Sequence, residues 1–233
     1  TIEEELGQGG FGRVVKAFDK KLKVQVAIKF LHDFSLADET TVARFKDEAK
    51  AASIVRGLGL VPLLDSGVDE KGVPYLVHRY CPNGTLADHI ERGKRLDGIE
   101  LFERLIKPLL TGVQTIHEAG ISHRDIKPQN LYALEDHSYA LGDFGLARFQ
   151  GRAAKTKTGF IIGTPLYLPP EAWATEDSTQ GRQGDIYSSA LVIVKACCGR
   201  LPFDNVPQSK RVLKIVRKGI KCQDIQKIGV PAS

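Results

Sequence analysis

One charged stretch decides how the rest of this chain is interpreted: His123-Arg124-Asp125-Ile126-Lys127-Pro128-Gln129-Asn130. It begins three residues after Gly120, and glycine is the residue that commonly ends helices in the left-handed conformation. Eighteen residues after Asp125 comes a second motif, Asp143-Phe144-Gly145. Both motifs are predicted to lie in the loops between residues 120 and 170, and the first of them follows a helix stop.

The chain from about residue 85 onward is predicted to be mainly helical. Leu101–Ala119 carries apolar residues at helical spacing, and Pro108 inside it should kink the helix or mark its start. Ile186–Cys197 is apolar on all sides, which is typical of a buried helix. A short helix capped by Thr85 and an amphipathic basic helix around Val212–Arg217 complete this part.

Residues 1–80 are predicted to form strands with one helix. Apolar and polar residues alternate over Val24–Phe30, so Ala27 and Lys29 share one face of a strand. There, the small alanine leaves room for a flat base and the lysine can reach phosphate oxygens. The alternative is an ordinary surface lysine, which is the commoner fate of lysines.

A helix and a hairpin are predicted after this strand. Ala37–Ser53 has helical periodicity, and Glu48 falls on its apolar stripe. This carboxylate either pairs with Arg44 one turn earlier or points inward to a cation. Val61–Leu64 and Gly72–Val77 are predicted to pair across a polar turn.

A glycine-rich segment opens the chain: Gly7-Gln8-Gly9-Gly10-Phe11-Gly12, with Val14 two residues later. This spacing also marks dinucleotide-binding folds, where it opens a helix. Here it precedes Arg13–Phe18, which has the character of a strand. A glycine-rich hairpin whose backbone can lie close over phosphates is therefore predicted, with an ordinary flexible turn as the alternative.

Composition narrows the class of protein. The chain has 233 residues, 42% hydrophobic content and a formal charge of +5, a mild excess that gives no reason to expect nucleic acid as a partner. Four cysteines form no metal-binding spacing, which indicates free thiols in a reducing compartment. No apolar run approaches the ~20 residues of a membrane span. We expect a cytoplasmic domain, or one at the cytoplasmic face of a membrane within a larger protein.

The ordered motifs resemble the catalytic domain of eukaryotic-type (Hanks-type) protein serine/threonine kinases, from Leu6 to about Phe203. Lys127-Pro128-Gln129-Asn130 is typical of the serine/threonine subgroup. Gly163-Thr164-Pro165 and Pro169-Pro170-Glu171 resemble the end of the activation segment, although the usual Ala-Pro-Glu string starts here with Pro169. Asp185–Ser188 resembles the start of the buried helix behind the catalytic loop.

The resemblance implies an α+β, bilobal fold. Residues 1–80 would form an N-lobe with a small antiparallel sheet and one helix. Residues 81–233 would form a mainly helical C-lobe, and together the two lobes make one kinase domain. The sequence ends 62 residues after Glu171, so the resemblance leaves open a C-lobe truncated before its last helices.

The resemblance also assigns catalytic and metal-binding roles. Asp125 would orient the attacking hydroxyl and accept its proton, and Lys127 would reach the transferred phosphoryl group. Asn130 and Asp143 would hold Mg²⁺. Lys29 would grip the ATP phosphates, oriented by Glu48.

The implied ATP site is formed by both lobes. His78 occupies the gatekeeper position beside the hinge, and Arg79 and Cys81 would contact adenine through their backbone. The implied ATP-binding residues are Gly7, Gly9, Gly12, Val14, Ala27, Lys29, Arg79 and Cys81.

The function implied is transfer of the γ-phosphoryl group of ATP, with Mg²⁺, to Ser or Thr hydroxyls of a protein substrate. Self-association for autophosphorylation would be a further expectation. Two alternatives stay open: a pseudokinase-type scaffold without turnover, and a kinase-fold phosphotransferase for small molecules. The complete set Lys29, Glu48, Asp125, Asn130 and Asp143 weighs against the first. The long activation segment and Lys127–Asn130 weigh against the second.

A phosphorylation switch is predicted in the activation segment. Phe144–Pro170 contains no acidic residue and carries Arg148, Arg152, Lys155 and Lys157. In the resembling family, the arginine at Arg124 receives a phosphate from this segment, and a phosphate adds about −1.5 to −2 charges. Thr156 and Thr158 are the candidate phosphosites. Thr164 is expected to contact the catalytic loop as part of the substrate loop instead.

Autophosphorylation at Thr156 or Thr158 should raise activity, because the phosphate would neutralise the cations around Arg124. Mass spectrometry after incubation with ATP should locate the phosphate, and the Thr156→Ala, Thr158→Ala double variant should lose activity. An unmodified loop together with a fully active double variant would contradict the prediction.

Overall fold

The computed structural model describes residues 1–9, 12–31, 49–50, 52–143, 165–173 and 181–229. Five antiparallel strands form a sheet in the order β1-β2-β3-β5-β4. The strands are β1 Ile2–Gly9, β2 Gly12–Asp19, β3 Val24–Leu31, β4 Leu63–Val68 and β5 Pro74–Arg79.

The predicted strand and hairpin are both present. In β3, Ala27 pairs with His78 of β5 and Lys29 pairs with Leu76. The β4–β5 hairpin turns at Asp69, but each of its strands begins two residues later than predicted. The Asp69 Oδ1 atom accepts hydrogen bonds from the backbone N–H groups of Lys71 and Val73.

The glycine-rich segment turns between β1 and β2, as a hairpin rather than as the start of a helix. Gly12 needs to be glycine, because its φ is +155° and a Cβ there would overlap the carbonyl oxygen of Phe30 on β3. Of the helix predicted over 37–53, residues 49, 50, 52 and 53 are helical, and the helix continues to residue 54. Its other residues lie outside the part of the chain that the structure describes.

The second part of the chain is mainly helical, so the α+β class is confirmed. Its helices are α1 Leu86–Glu91, α2 Gly98–Leu101, α3 Lys107–Glu118, α4 Arg182–Cys198, α5 Gln208–Lys218 and α6 Cys222–Gln226. Short 3₁₀ turns lie at Pro128–Asn130, Pro165–Tyr167 and Pro170–Trp173, and strands β6 Leu131–Ala133 and β7 Tyr139–Leu141 form a hairpin. No described helix is long and apolar enough to cross a membrane.

Local signals at helix ends are borne out. Thr85 caps α1 in a reciprocal capping box with Asp88, and Gly120 has a φ of +77° just past α3. Pro108 lies in the first turn of α3, directly after a π-helical segment, Phe102–Ile106. The proline therefore marks the start of the regular helix, and the π-helical turns before it accommodate its missing N–H.

Helix α4 corrects one expectation. Leu191, Val192 and Ala196 are buried, but Ile186 is 53% exposed. The helix therefore packs one face into the core and shows the other at the surface, although its sequence is apolar all round. Its buried face joins α1 and α3 in the main core around Leu105, Leu109 and Ile116.

His78 on β5 is a polar residue of the buried interior. Neither ring nitrogen has a hydrogen-bond partner among the described residues, and both are shielded from solvent. The distance of 3.9 Å from Nε2 to the Asp143 carboxylate exceeds a hydrogen bond. Burial lowers the pKa of His78, with Asp143 opposing and Lys29 reinforcing the shift, so the ring is neutral at pH 7.

The substitution His78→Leu should leave the free energy of unfolding unchanged or raise it, because it removes buried polar atoms that have no partner. The matched control is His89→Leu. The His89 Nδ1 accepts from the Tyr139 hydroxyl at 2.7 Å and Nε2 donates to the Asn83 carbonyl at 3.0 Å. Losing these bonds should cost about 1–2 kcal/mol. Urea denaturation without nucleotide measures both variants, and a larger loss for His78→Leu would contradict this account.

Candidate active site

A cleft of about 390 Å³ lies between the sheet and the helical part. Predicted site residues line it from both sides: Gly7, Val14, Ala27, Lys29, Arg79, Cys81 and Asp143. Gly9 and Gly12 lie where β1 turns into β2 but are not part of the lining. Glu48, Thr156, Thr158 and Thr164 lie outside the residues that the structure describes.

An ion pair joins the sheet to the helical part across the cleft. The Lys29 Nζ atom donates to the Asp143 Oδ2 at 2.9 Å, and both side chains are largely buried, with 12% and 13% exposure. Burial alone would raise the pKa of Asp143, but the nearby Lys29 ammonium outweighs it and the pKa is about 2. Asp143 is therefore a carboxylate at neutral pH.

Lys29 has a partner that the sequence did not predict. The sequence pattern favoured Glu48, whereas the ammonium here is bound to Asp143, 114 residues away in the chain. Because Glu48 is not described, its pairing with Lys29 stays a prediction.

Asp125 lies in the loop between α3 and β6, held by two neighbours that the motif itself supplies. Lys127 Nζ is 2.8 Å from Asp125 Oδ2. Asn130 Nδ2 donates to the same oxygen at 3.1 Å and to the Asp125 backbone carbonyl at 2.7 Å. All of the described side-chain bonds go to Oδ2, so Oδ1 is left to accept a further hydrogen bond.

His123 connects the two motifs. Its Nε2 faces the Gly142 carbonyl at 2.8 Å, so this nitrogen must donate, and its Nδ1 accepts from the backbone N–H of Asp125 at 3.3 Å. The Gly142 N–H in turn donates to the Asn130 carbonyl at 2.9 Å. The two loops therefore hold Asp125, Asn130 and Asp143 in a single hydrogen-bonded frame.

Asp185 at the start of α4 anchors the same loop. Its Oδ2 accepts from the His123 N–H at 2.8 Å and lies 2.7 Å from His117 Nε2, and its Oδ1 accepts from the Arg124 N–H at 2.7 Å. The Arg124 side chain keeps a buried Nε without a partner among the described residues. This is the side chain expected to receive a phosphate.

The hinge can present backbone groups to a flat ring. The Arg79 N–H donates to the Pro62 carbonyl at 3.3 Å. The N–H of Cys81 has no bond to a described residue. The Arg79 carbonyl and the Cys81 N–H are therefore the groups best placed to form hydrogen bonds with a flat nucleotide base. Burial raises the pKa of the Cys81 thiol to about 11, which keeps it protonated at neutral pH.

Sequence reasoning missed one residue of the cleft and left another unexplained. Tyr132 lines the cleft from β6, and the negative charge of Asp143, together with burial, raises its pKa well above 10. Its position two residues after Asn130 was the available signal. His78 was recognised from the sequence without an explanation, and the structure shows it as a neutral ring in the cleft wall beside Asp143.

Comparison with known proteins agrees with this geometry. Residues 1–232 match the family described as "Protein kinase domain". The chain is 33% identical over 203 residues to "Serine/threonine-protein kinase PknL" of Mycobacterium tuberculosis, covering 87% of this chain and 50% of that protein. It is 32% identical over 212 residues to "Serine/threonine-protein kinase pkn3" of Myxococcus xanthus, covering 88% and 38%. The chain thus spans about half, or less, of the length of these relatives. It belongs to the protein kinase family, and its matched relatives are serine/threonine kinases.

Proposed function

We propose that the protein transfers the γ-phosphoryl group of ATP to serine or threonine hydroxyls of proteins. One observation carries the proposal: Asp125, steadied by Lys127 and Asn130, lies in one hydrogen-bonded frame with Asp143. Asp143 in turn binds the cleft lysine Lys29. Phosphoryl transfer depends on positioning and charge neutralisation, and these groups supply both.

The cleft fits a nucleotide. Its volume of about 390 Å³ is within the ordinary range for small-ligand sites. Val14 and Ala27 line the sheet side, while Tyr132 and Val61 belong to the opposite part of the lining. A Cβ added at Gly7 would meet nothing within 4 Å, so this part of the glycine-rich turn has open space beside it for a ligand.

The donor set also fits a hard divalent cation, for which we propose Mg²⁺. Asp143 contributes carboxylate oxygens, and the side-chain oxygen of Asn130 takes part in none of the hydrogen bonds among the described residues, which its amide nitrogen makes instead. When bound, the cation would neutralise charge on the phosphate oxygens. The role of these residues is to hold it at a fixed distance from Asp125.

The chain's own groups prepare the acceptor hydroxyl. Asp125 Oδ1 is the oxygen left to accept the hydrogen bond of a serine or threonine hydroxyl and orient it. Lys127 lies 2.8 Å from the other oxygen of Asp125. Its positive charge would offset the negative charge of the transferred phosphoryl group. Lys29 would hold the remaining phosphates from the sheet side.

Several further assignments are proposals of the same kind. Glu48 would orient Lys29 in the active state, and a phosphate on Thr156 or Thr158 would bind Arg124. Thr164, as part of the substrate loop, would contact the catalytic loop, and copies of the chain would associate for autophosphorylation. We also propose a cytoplasmic location for the domain.

The proposal is favoured over the two alternatives by the catalytic loop. A scaffold without turnover has no need of the Lys127 and Asn130 contacts that orient Asp125. A small-molecule phosphotransferase would use the same core, so the acceptor decides between the two enzymes. Incubation with labelled ATP and Mg²⁺ should label generic protein substrates and not small alcohols; the reverse result would support the small-molecule enzyme.

The substitution Asp125→Asn should lower kcat by about 10²–10⁴-fold, the contribution typical of a positioned acid–base group. ATP affinity should change little, because Asp125 does not line the ATP cleft. Steady-state kinetics and calorimetric titration measure the two quantities. The matched control is Asp136→Asn, an exposed turn residue bonded only to Ser138, which should keep full activity. Near-normal turnover in Asp125→Asn would exclude the assigned role.

Variants of Asp143 and Lys29 separate the contribution of this ion pair to stability from its proposed role in binding Mg²⁺–ATP. Asp143→Asn leaves a buried ammonium without its anion and should lower the free energy of unfolding by about 3 kcal/mol. Adding Lys29→Met should recover much of that loss, because both charges are then gone. Binding of Mg²⁺–ATP should stay lost in the double variant. Recovery of binding along with stability would show that Asp143 is not a metal ligand.

A further inference from the structure

The positive charge of the chain is concentrated near its C-terminal end. Residues 208–229 contain seven lysines and arginines against one acidic residue, a formal charge of +6. The whole chain carries only +5, so the remainder is close to neutral. Helix α5, with basic residues along its length, contributes most of this charge. An anionic partner is therefore expected at this end of the molecule.

A concave site lies within the basic region. A second cavity, of about 340 Å³, is lined by the segment after α4 and by parts of α5 and α6. Three cations, Arg200, Lys214 and Lys227, line it together with the aromatic ring of Phe203. Lys214 Nζ lies 4.0 Å from the centre of that ring, a cation–π contact that holds the ammonium at the cavity wall.

The acidic residues that line this cavity already bind other groups of the protein. Asp204 Oδ1 lies 2.6 Å from Arg211, and its Oδ2 accepts from the Leu201 N–H at 2.8 Å. Asp224 accepts from the Lys221 N–H at the start of α6. In contrast, none of the three lining cations forms a salt bridge with another described residue.

We propose that this cavity is a docking site for an acidic peptide segment, with aspartate or glutamate side chains, on a protein substrate. The inference rests on the proposed kinase function, because it assigns a second contact for the protein substrate, separate from the site around Asp125. Carboxylates would bind Arg200 and Lys227 at the rim and approach Lys214 over Phe203. Helix α5 also packs against the Pro170–Trp173 turn, at the end of the segment that resembles the activation segment.

A peptide fits these observations better than a membrane surface. A lipid headgroup layer is engaged by a flat or protruding basic face, often with inserted apolar side chains, whereas these cations surround a hollow. The carboxylates of Asp204 and Asp224 inside the lining would also repel a continuous sheet of anions, yet they tolerate spaced acidic side chains.

Binding can be measured directly by fluorescence anisotropy with a fluorescein-labelled poly-glutamate peptide, beside a poly-glutamine peptide of equal length. The Arg200→Glu, Lys227→Glu variant should bind poly-glutamate at least about tenfold more weakly, as expected for losing two partly exposed charge pairs. Both residues are exposed, so the fold should be kept. Arg200→Gln, Lys227→Gln is a milder second variant that should show a smaller loss in the same direction.

The matched control is Lys210→Glu, Lys218→Glu. Both residues are exposed on α5 outside the cavity lining, and the change in net charge is the same. An equal loss in this control would overturn the docking site, because the binding would then reflect the general field of the helix. Absence of poly-glutamate binding by the unmodified protein would also overturn it. So would cavity-dependent binding to phosphatidylserine vesicles that exceeds binding to the peptide.

Kinetics separate this inference from the proposed function. With an acceptor peptide that carries an acidic tail, the cavity variant should raise KM by about tenfold at unchanged kcat, and the untailed peptide should show no change. If the unmodified protein phosphorylates neither peptide, the proposed function fails, while the anisotropy result still decides the docking site. An unchanged KM for the tailed peptide would contradict docking even in an active kinase.

Discussion

The carboxylate of Asp185 is the constraint on which the site depends. It is 1% exposed and accepts the backbone N–H groups of His123 and Arg124 while contacting the His117 ring. Arg124 has a φ of +64°, a conformation that costs a non-glycine residue about 1 kcal/mol or more. The two backbone hydrogen bonds hold the chain in that conformation, so Asp185 of helix α4 fixes the backbone direction at Arg124, next to Asp125.

Hydrogen bonds connect the loop held by Asp185 to the Gly142–Asp143 segment. His123, held by its own N–H, uses both ring nitrogens to join Asp125 to Gly142. Asn130 then bonds Asp125 through its side chain and Gly142 through its carbonyl. Each contact has a directional optimum, so a shift of one loop would break bonds in the other. That coupling holds Asp125, Asn130 and Asp143 in one hydrogen-bonded frame.

The sequence predicted what depends on local rules and on motif order. The strand that carries Ala27 and Lys29, the Thr85 cap and the helix stop at Gly120 all follow from short-range chemistry. The exposed side of α4 at Ile186 could not be predicted, because burial depends on which elements pack against a helix and not on its composition. The ion pair between Lys29 and Asp143 could not be predicted from the sequence either. A lysine can reach any of several carboxylates that folding brings near.

The pairing of Lys29 with Asp143 has a consequence for the electrostatics of the cleft. In the proposed site, Asp143 would hold a dication only as a carboxylate, and burial opposes that charged form. Burial raises the pKa of Asp143, but the Lys29 ammonium 2.9 Å away, with the neighbouring His78 and His123 rings, holds that pKa at about 2. The lysine therefore does two things at once. It keeps Asp143 anionic, and it places a positive charge in the cleft, so the charges that the proposed nucleotide–metal complex would require are present in the protein itself.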